Sequence, residues 1–136
     1  LELALLEGSL EPAGVPEAWN AAMKDYLGLE PPHDGLGCLQ DVHWSLGLFG
    51  YFPTYTLGNL LAAQLWEAVH QDLPSLDEDL AQGNLEGLRA WLHEHIHVLG
   101  ARLLPKELIR RATGRDLEAG PFIAYLEGKF GGLYGV

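Results

Sequence analysis

The chain has 136 residues, of which 48% are hydrophobic and 20% are charged, and this is the composition of one globular domain that can bury a core. Its formal net charge of −11 argues against a nucleic-acid partner, because no basic stripe is present to neutralise phosphates. No stretch approaches the ~20 apolar residues of a membrane span, and no signal peptide is visible, so we also expect no membrane partner.

The first predicted elements are helices that begin near a proline and end at a glycine. The opening residues are typical of the end of a helix that is already under way and that stops at Gly8, so we expect a fragment of a longer protein. Pro16 starts a second helix, which ends at Gly28. A short helical turn is predicted over 39–44, and a glycine-rich loop continues to Phe52.

One cysteine, Cys38, precedes this loop and excludes an internal disulfide. A lone cysteine without a partner favours a reducing compartment, and we expect a cytoplasmic protein. The longest predicted helix follows, from Pro53 to about Asp72. One of its faces is apolar, and Gln64 is predicted to lie largely off that face.

Four more helices are predicted. The first ends at about Gln82, the second runs from Asn84 to Leu99, and the last two lie over 105–114 and 121–130. Asn84 is a favourable N-cap for the second of them. Its inward-facing residues are predicted to be Leu85, Leu88, Leu92, Ile96 and Leu99. Because no segment alternates with period two, the sequence predicts an all-α fold, with residues 1–136 as a single helical domain.

A helical zinc signature, H-E-x-x-H, occurs at His93–His97. On a helix His93 and His97 share a face and could bind one Zn²⁺, with Glu94 as general base and Glu118 as a third ligand. The alternative is a solvated turn that is rich in histidine by chance. We favour that alternative, because His95 stands where zinc helices have small or apolar residues.

A second candidate site lies in residues 37–66. Its polar and aromatic side chains include Gln40, Asp41, His43, Trp44, Tyr51, Thr54 and Tyr55. Asp41 and His43 could form an acid–imidazole pair, although residues two apart do not face each other on a helix. The phenol of Tyr55 could donate to a developing oxyanion. The residues alone leave open the alternative that His43 and the aromatic side chains are core residues whose polar ends are hydrogen-bonded.

The segment 37–66 resembles the M32 family of metallocarboxypeptidases, of the carboxypeptidase Taq type. The pattern G-x-x-Q-D-x-H-W is present as Gly37, Gln40, Asp41, His43 and Trp44. The continuation over 49–59 is also similar to the family, and the similarity extends over the whole chain. The resemblance implies the helical C-terminal part of a neurolysin-like zincin fold, with a groove wall at 37–66 and C-terminal helices at 74–136.

The resemblance further implies a homodimeric, Zn²⁺- or Co²⁺-dependent hydrolase that removes single residues from peptide C-termini. In that family the H-E-x-x-H helix, the zinc-binding glutamate and the arginine for the substrate carboxylate precede the matched region. The metal ligands would therefore lie outside this chain, in the missing N-terminal part of the same protein. We expect no metal bound to this chain and no activity of the chain alone.

Roles for individual residues also follow from the resemblance. The predicted catalytic residues are His43, which would hydrogen-bond the peptide or the tetrahedral intermediate, and Tyr55, which would stabilise the oxyanion. The predicted substrate-binding residues are Gln40, Asp41, Trp44, Tyr51 and Thr54, and Asp41 would also orient His43. Two other functions stay open: a non-catalytic helical interaction module, and a small zinc protein that uses His93 and His97.

Overall fold

The computed structural model describes residues 1–135, in which every regular element is a helix or a helical turn, and this confirms the predicted all-α fold. The chain divides into two compact units, Leu1–Thr54 and the part from Tyr55 onward. The single domain expected from chain length stays a prediction. Within residues 1–135 no helix combines the length and the apolarity that a bilayer crossing requires.

The first unit contains two helices and several short 3₁₀ turns. The helices are α1 (Glu2–Leu6) and α2 (Val15–Leu27). Helix α2 ends where predicted, at Gly28, whose left-handed backbone (φ +67°) is the conformation that glycine adopts most readily. After α2 the 3₁₀ turns lie at Asp34–Leu36, Cys38–Gln40 and Trp44–Leu46.

The remaining helices are α3 (Pro53–Asp72), α4 (Leu76–Ala81), α5 (Glu86–Leu92), α6 (Pro105–Thr113) and α7 (Gly120–Tyr134). The core of the second unit consists of the buried side chains of Val69, Leu76, Trp91 and Ala112. The indole nitrogen of Trp91 donates a hydrogen bond to Asp72 Oδ2 at 2.7 Å. A buried aromatic ring is thereby fixed to the end of α3.

Two predicted helix ends are wrong. The helix expected to reach Leu99 ends at Leu92, and a π-helical turn follows at His93–His97. A hydrogen bond from the Val98 N–H to the His93 carbonyl spans five residues, so the register of the apolar face shifts there. Helix α7 continues to Tyr134, four residues beyond the predicted end, through glycines that were expected to stop it.

The burial of two side chains differs from the prediction. Leu85 was expected to face inward and is exposed. Gln64 was expected off the apolar face and is fully buried.

The polar atoms of the Gln64 side chain are hydrogen-bonded inside the second unit. Gln64 Nε2 donates to Thr113 Oγ1 at 2.9 Å and to the Asp116 carbonyl at 3.0 Å. Gln64 Oε1 accepts from the Glu118 N–H at 2.9 Å. These bonds offset the desolvation of the amide and attach α3 to the segment between α6 and α7.

Candidate functional site

The candidate site begins at a buried glycine under α2. A Cβ atom at Gly37 would lie 3.2 Å from the Cβ atom of Pro31 and 3.4 Å from Asn20 Oδ1, so the close approach of these side chains favours glycine. Cys38 is buried beside it. The exposed Gln40 donates from Nε2 to the Gly35 carbonyl at 2.5 Å. Gln40 therefore holds the loop in which the candidate residues lie.

Asp41 organises the turn that carries His43. Its side chain is only 5% exposed, and Oδ1 accepts from the backbone N–H groups of His43 (2.7 Å) and Trp44 (3.3 Å). The same oxygen lies 3.3 Å from His43 Nδ1. The helical turn predicted over 39–44 is wrong, because Asp41 is extended (φ −75°, ψ 110°) between two 3₁₀ turns. That extended residue is what allows two side chains separated by one residue to approach each other.

The imidazole of His43 is packed against aromatic rings. Its ring centroid lies 5.5 Å from that of Tyr51 and 5.1 Å from that of Phe52. The side chain is 15% exposed, so one part of it reaches the surface of the first unit. Contact with two rings and a carboxylate restricts the orientation of the imidazole, as a group that positions a substrate requires.

The indole of Trp44 lies on the other side of this turn. It packs edge-on against Trp19, with centroids 6.2 Å apart, and parallel to Phe49 at 6.1 Å. Its nitrogen donates to Glu2 Oε1 at 2.8 Å, and the other oxygen of Glu2 accepts from the Gly50 N–H at 2.8 Å. The predicted contact of Trp44 with substrate stays a prediction, and its indole N–H is engaged by α1.

The loop ends where α3 begins. Thr54 connects the loop to this start, because both its N–H (3.0 Å) and its hydroxyl (2.6 Å) donate to the Tyr51 carbonyl. Tyr51 and Tyr55 are both exposed, and Tyr55 belongs to the first turn of α3 in the second unit. The structure therefore brings together Asp41, His43, Trp44 and Tyr51 within the first unit, with Thr54 at its end.

Glu2 is the residue of this site that sequence reasoning missed. It stands in a short helix 42 residues before Trp44, and no periodicity or motif connects the two. Its two carboxylate oxygens fix both ends of the loop between Trp44 and Gly50. Only the folded chain reveals this role.

A metal site is not assembled by the described part of the chain. No group of three or more His, Cys, Asp or Glu side chains in residues 1–135 is placed to hold an ion. The rings of His93 and His97 are 6.5 Å apart, and Glu118 does not complete a site with them. His95 is stacked on Trp91 at 4.3 Å. The side chains of His93, His97 and Glu118 therefore do not fit a catalytic metal site.

Comparison with known proteins identifies the family. The sequence profile described as Carboxypeptidase Taq (M32) metallopeptidase matches residues 1–130. Thermostable carboxypeptidase 1 of Thermus thermophilus is 47% identical over 135 residues, which are 99% of this chain and 26% of that protein. Carboxypeptidase 1 of Bacillus subtilis is 41% identical over 98% of this chain and 27% of its own length.

Among solved structures, an M32 carboxypeptidase from Deinococcus radiodurans matches with a TM-score of 0.90 and 46% identity. The match covers 99% of this chain and 27% of that one. The chain spans about a quarter of the length of the relatives that it matches, and it belongs to the M32 family of carboxypeptidase Taq metallopeptidases.

Proposed function

We propose that this chain is the C-terminal part of a metallocarboxypeptidase that hydrolyses the last peptide bond of peptide substrates. The family match over residues 1–130, which includes the motif of Asp41 and His43, is the observation that carries this proposal. The names of the relatives support the reaction class, since the Thermus and Bacillus proteins are both called carboxypeptidases.

Within that reaction His43 binds the substrate peptide. Its imidazole donates a hydrogen bond to the carbonyl of the scissile bond, or to the oxyanion that develops from it. Support comes from the restricted ring, which lies against Tyr51 and Phe52 with Asp41 Oδ1 at 3.3 Å from Nδ1. The carboxylate of Asp41 favours a proton on Nδ1, so Nε2 can donate to the oxyanion only when the ring carries a second proton, as an imidazolium.

Tyr55 supplies a second donor to the developing oxyanion. Its position on the first turn of a 20-residue helix supports the proposal, because a long helix holds a side chain at a fixed place. Gln40, Trp44, Tyr51 and Thr54 shape the loop on which the peptide lies. A hydrogen-bond donor to the oxyanion, such as Tyr55, typically raises kcat by a factor of about 10²–10³.

The residues that bind the metal, which is Zn²⁺ or Co²⁺ in our proposal, belong to the rest of the enzyme. The metal supplies Lewis-acid chemistry when bound, and the described residues of this chain do not form its site. We further propose that the complete enzyme is a cytoplasmic homodimer and that this chain alone is inactive.

The test uses a chimera in which this chain replaces the matched 135-residue segment of the Thermus carboxypeptidase. We expect His43→Ala and Tyr55→Phe each to lower kcat on a blocked dipeptide by about 10²–10³. Tyr134→Phe, on an exposed ring at the end of α7, is the matched control and should leave kcat unchanged. Normal kcat in both site variants would favour a non-catalytic interaction module instead.

The isolated chain provides an independent test. With Zn²⁺ or Co²⁺ added, it should not hydrolyse the same blocked dipeptide. Turnover that depends on His93 or His97 would overturn the assignment of the metal site to the rest of the enzyme.

A further inference from the structure

A groove of about 1070 Å³ lies in the second unit between α3 and α7. Small side chains, Ala62, Ala63 and Ala124, line it together with the rings of Trp66 and Tyr125. The two rings are 42% and 48% exposed. Small residues leave room for a neighbouring backbone, and exposed rings provide apolar contact, so the lining suits a polypeptide segment.

The size of the groove also favours a polypeptide. Pockets for small molecules usually measure about 300–1,000 Å³ and enclose most of the ligand. This groove is slightly larger than that range, and its aromatic walls are half open to solvent. An amphipathic helix laid into an apolar groove is a common mode of polypeptide recognition.

The accessible surface of the chain is larger than its mass requires. It amounts to 9886 Å² for 14.9 kDa, whereas a monomeric protein of this mass exposes about 7,000 Å². Two separate domains of the sizes of the two units would expose about 8,400 Å². The excess over two separate domains is roughly 1,500 Å² for the whole chain, which is comparable to one partner's share of an obligate interface.

The charges at the groove indicate what its occupant carries. Arg115 Nη2 donates to Glu67 Oε2, and Arg115 Nε lies 3.8 Å from Glu118 Oε2. All three residues line the groove, so one guanidinium faces two carboxylates. His70 also lines it, and its Nε2 lies 3.1 Å from Asp77 Oδ1. Two carboxylates against one guanidinium leave the lining with a slight excess of negative charge when His70 is neutral, which favours a basic occupant.

We propose that this groove binds a segment of the remaining three-quarters of the same enzyme, an apolar helix with at least one basic side chain directed at Glu67 and Glu118. The inference rests on the proposed function, in which this chain is one part of a protein about four times as long. The relatives support it, since the chain covers only 26–27% of their lengths. A second copy of this chain and a small molecule are the competing occupants.

Photo-crosslinking in the chimera tests the occupant directly. Benzoylphenylalanine replaces Ala62 in the groove or, as a matched control, Ala90, which is exposed on α5. We expect position 62 to crosslink within one polypeptide to an upstream peptide that contains Lys or Arg, and position 90 to give at least ten times less of that product. Crosslinks from position 62 to a second copy, only to this chain, or to nothing would overturn the proposal.

A charge reversal tests the basic side chain. Glu118→Lys should lower the Tm of the chimera by about 3 °C or more beyond its effect on the isolated chain. Glu127→Lys makes the same charge change on an exposed part of α7 that does not line the groove, and should show no such excess. An equal excess for both variants would contradict the proposed complementarity.

Two separate polypeptides give a further measurement that does not depend on the folding of the chimera. This chain is co-expressed with the upstream three-quarters of the Thermus protein, and the complex is purified through a tag on this chain. Ala62→Trp should abolish co-purification, whereas Ala90→Trp should preserve it. No co-purification with the unmodified chain would overturn the proposal.

These readouts separate the two proposals. Crosslinks from the groove to the upstream part in an enzyme without peptidase activity would contradict only the proposed function. Full activity with no crosslink from position 62 would contradict only the groove assignment.

Discussion

The carboxylate of Glu2 accepts a hydrogen bond from the indole nitrogen of Trp44 at 2.8 Å, across 42 residues of chain. Its second oxygen accepts from the Gly50 N–H, so one side chain of α1 holds the loop that follows His43 at both ends. The position of the candidate site therefore depends on a residue outside its motif.

Removing this anchor should loosen the loop. Glu2→Ala leaves the Trp44 and Gly50 N–H groups without their acceptor, and we predict a loss of about 1–3 kcal/mol in the free energy of unfolding. Urea unfolding followed by tryptophan fluorescence measures it. Glu7→Ala, at an exposed position just after α1, is the control and should change stability by less than about 0.5 kcal/mol. Equal losses for the two variants would contradict the role of Glu2.

Asp41 should have separable structural and functional roles. Asp41→Asn keeps an oxygen that can accept from the His43 and Trp44 N–H groups, whereas Asp41→Ala removes it and should cost about 0.5–2 kcal/mol. The amide has no charge to orient the imidazole of His43, so we predict that Asn lowers kcat of the chimera at least about 10-fold with little loss of stability. Asp25→Asn on exposed α2 is the control. Unchanged kcat in Asp41→Asn would restrict Asp41 to a structural role.

Gln64 should be the most sensitive polar residue of the second unit. Gln64→Leu removes one acceptor and two donors at a fully buried position and leaves the Glu118 N–H unsatisfied. We predict a loss of about 2–4 kcal/mol in the free energy of unfolding. Gln71→Leu, on the exposed face of the same helix, should change it by less than about 0.5 kcal/mol. Thermal and urea unfolding of both variants give the comparison, and a small loss for Gln64→Leu would show that the network is dispensable.

His70 should make the stability of the second unit depend on pH. Its hydrogen bond to the Trp66 carbonyl, and then its contact with Asp77, raise the pKa of His70 although desolvation opposes them. A raised pKa in the folded state means that this stabilisation is complete below the unfolded value, about 6.5, and is lost as the pH rises through the folded value.

We therefore predict that the free energy of unfolding falls as the pH rises from about 6.5 toward 8, by less than about 1 kcal/mol because Asp77 is exposed. His70→Gln should remove this part of the pH dependence. His33→Gln, at an exposed residue of the first unit, should keep it. The assignment to His70 would be refuted if the free energy of unfolding rose between about pH 6.5 and 8 in the unmodified chain but not in His70→Gln, because that change has the opposite sign.

Local chemistry alone determined most helix ends of this protein. Proline at a first turn and glycine in a left-handed cap act within three or four residues, so the sequence located α3 at Pro53–Asp72 and the ends of α2 and α6 at Gly28 and Gly114. The motif from Gly37 to Trp44 likewise indicated the family that the comparisons established. The motif did not indicate that the backbone at Asp41 is extended.

Tertiary structure decided the partners of the polar side chains. Gln64 is buried because Thr113, Asp116 and Glu118 are brought to it from about 50 residues away. Periodicity along one helix cannot report such partners, because it records only which residues share a face. The carboxylate of Glu2 reaches Trp44 for the same reason: a hydrogen bond between distant segments exists only after the chain has folded.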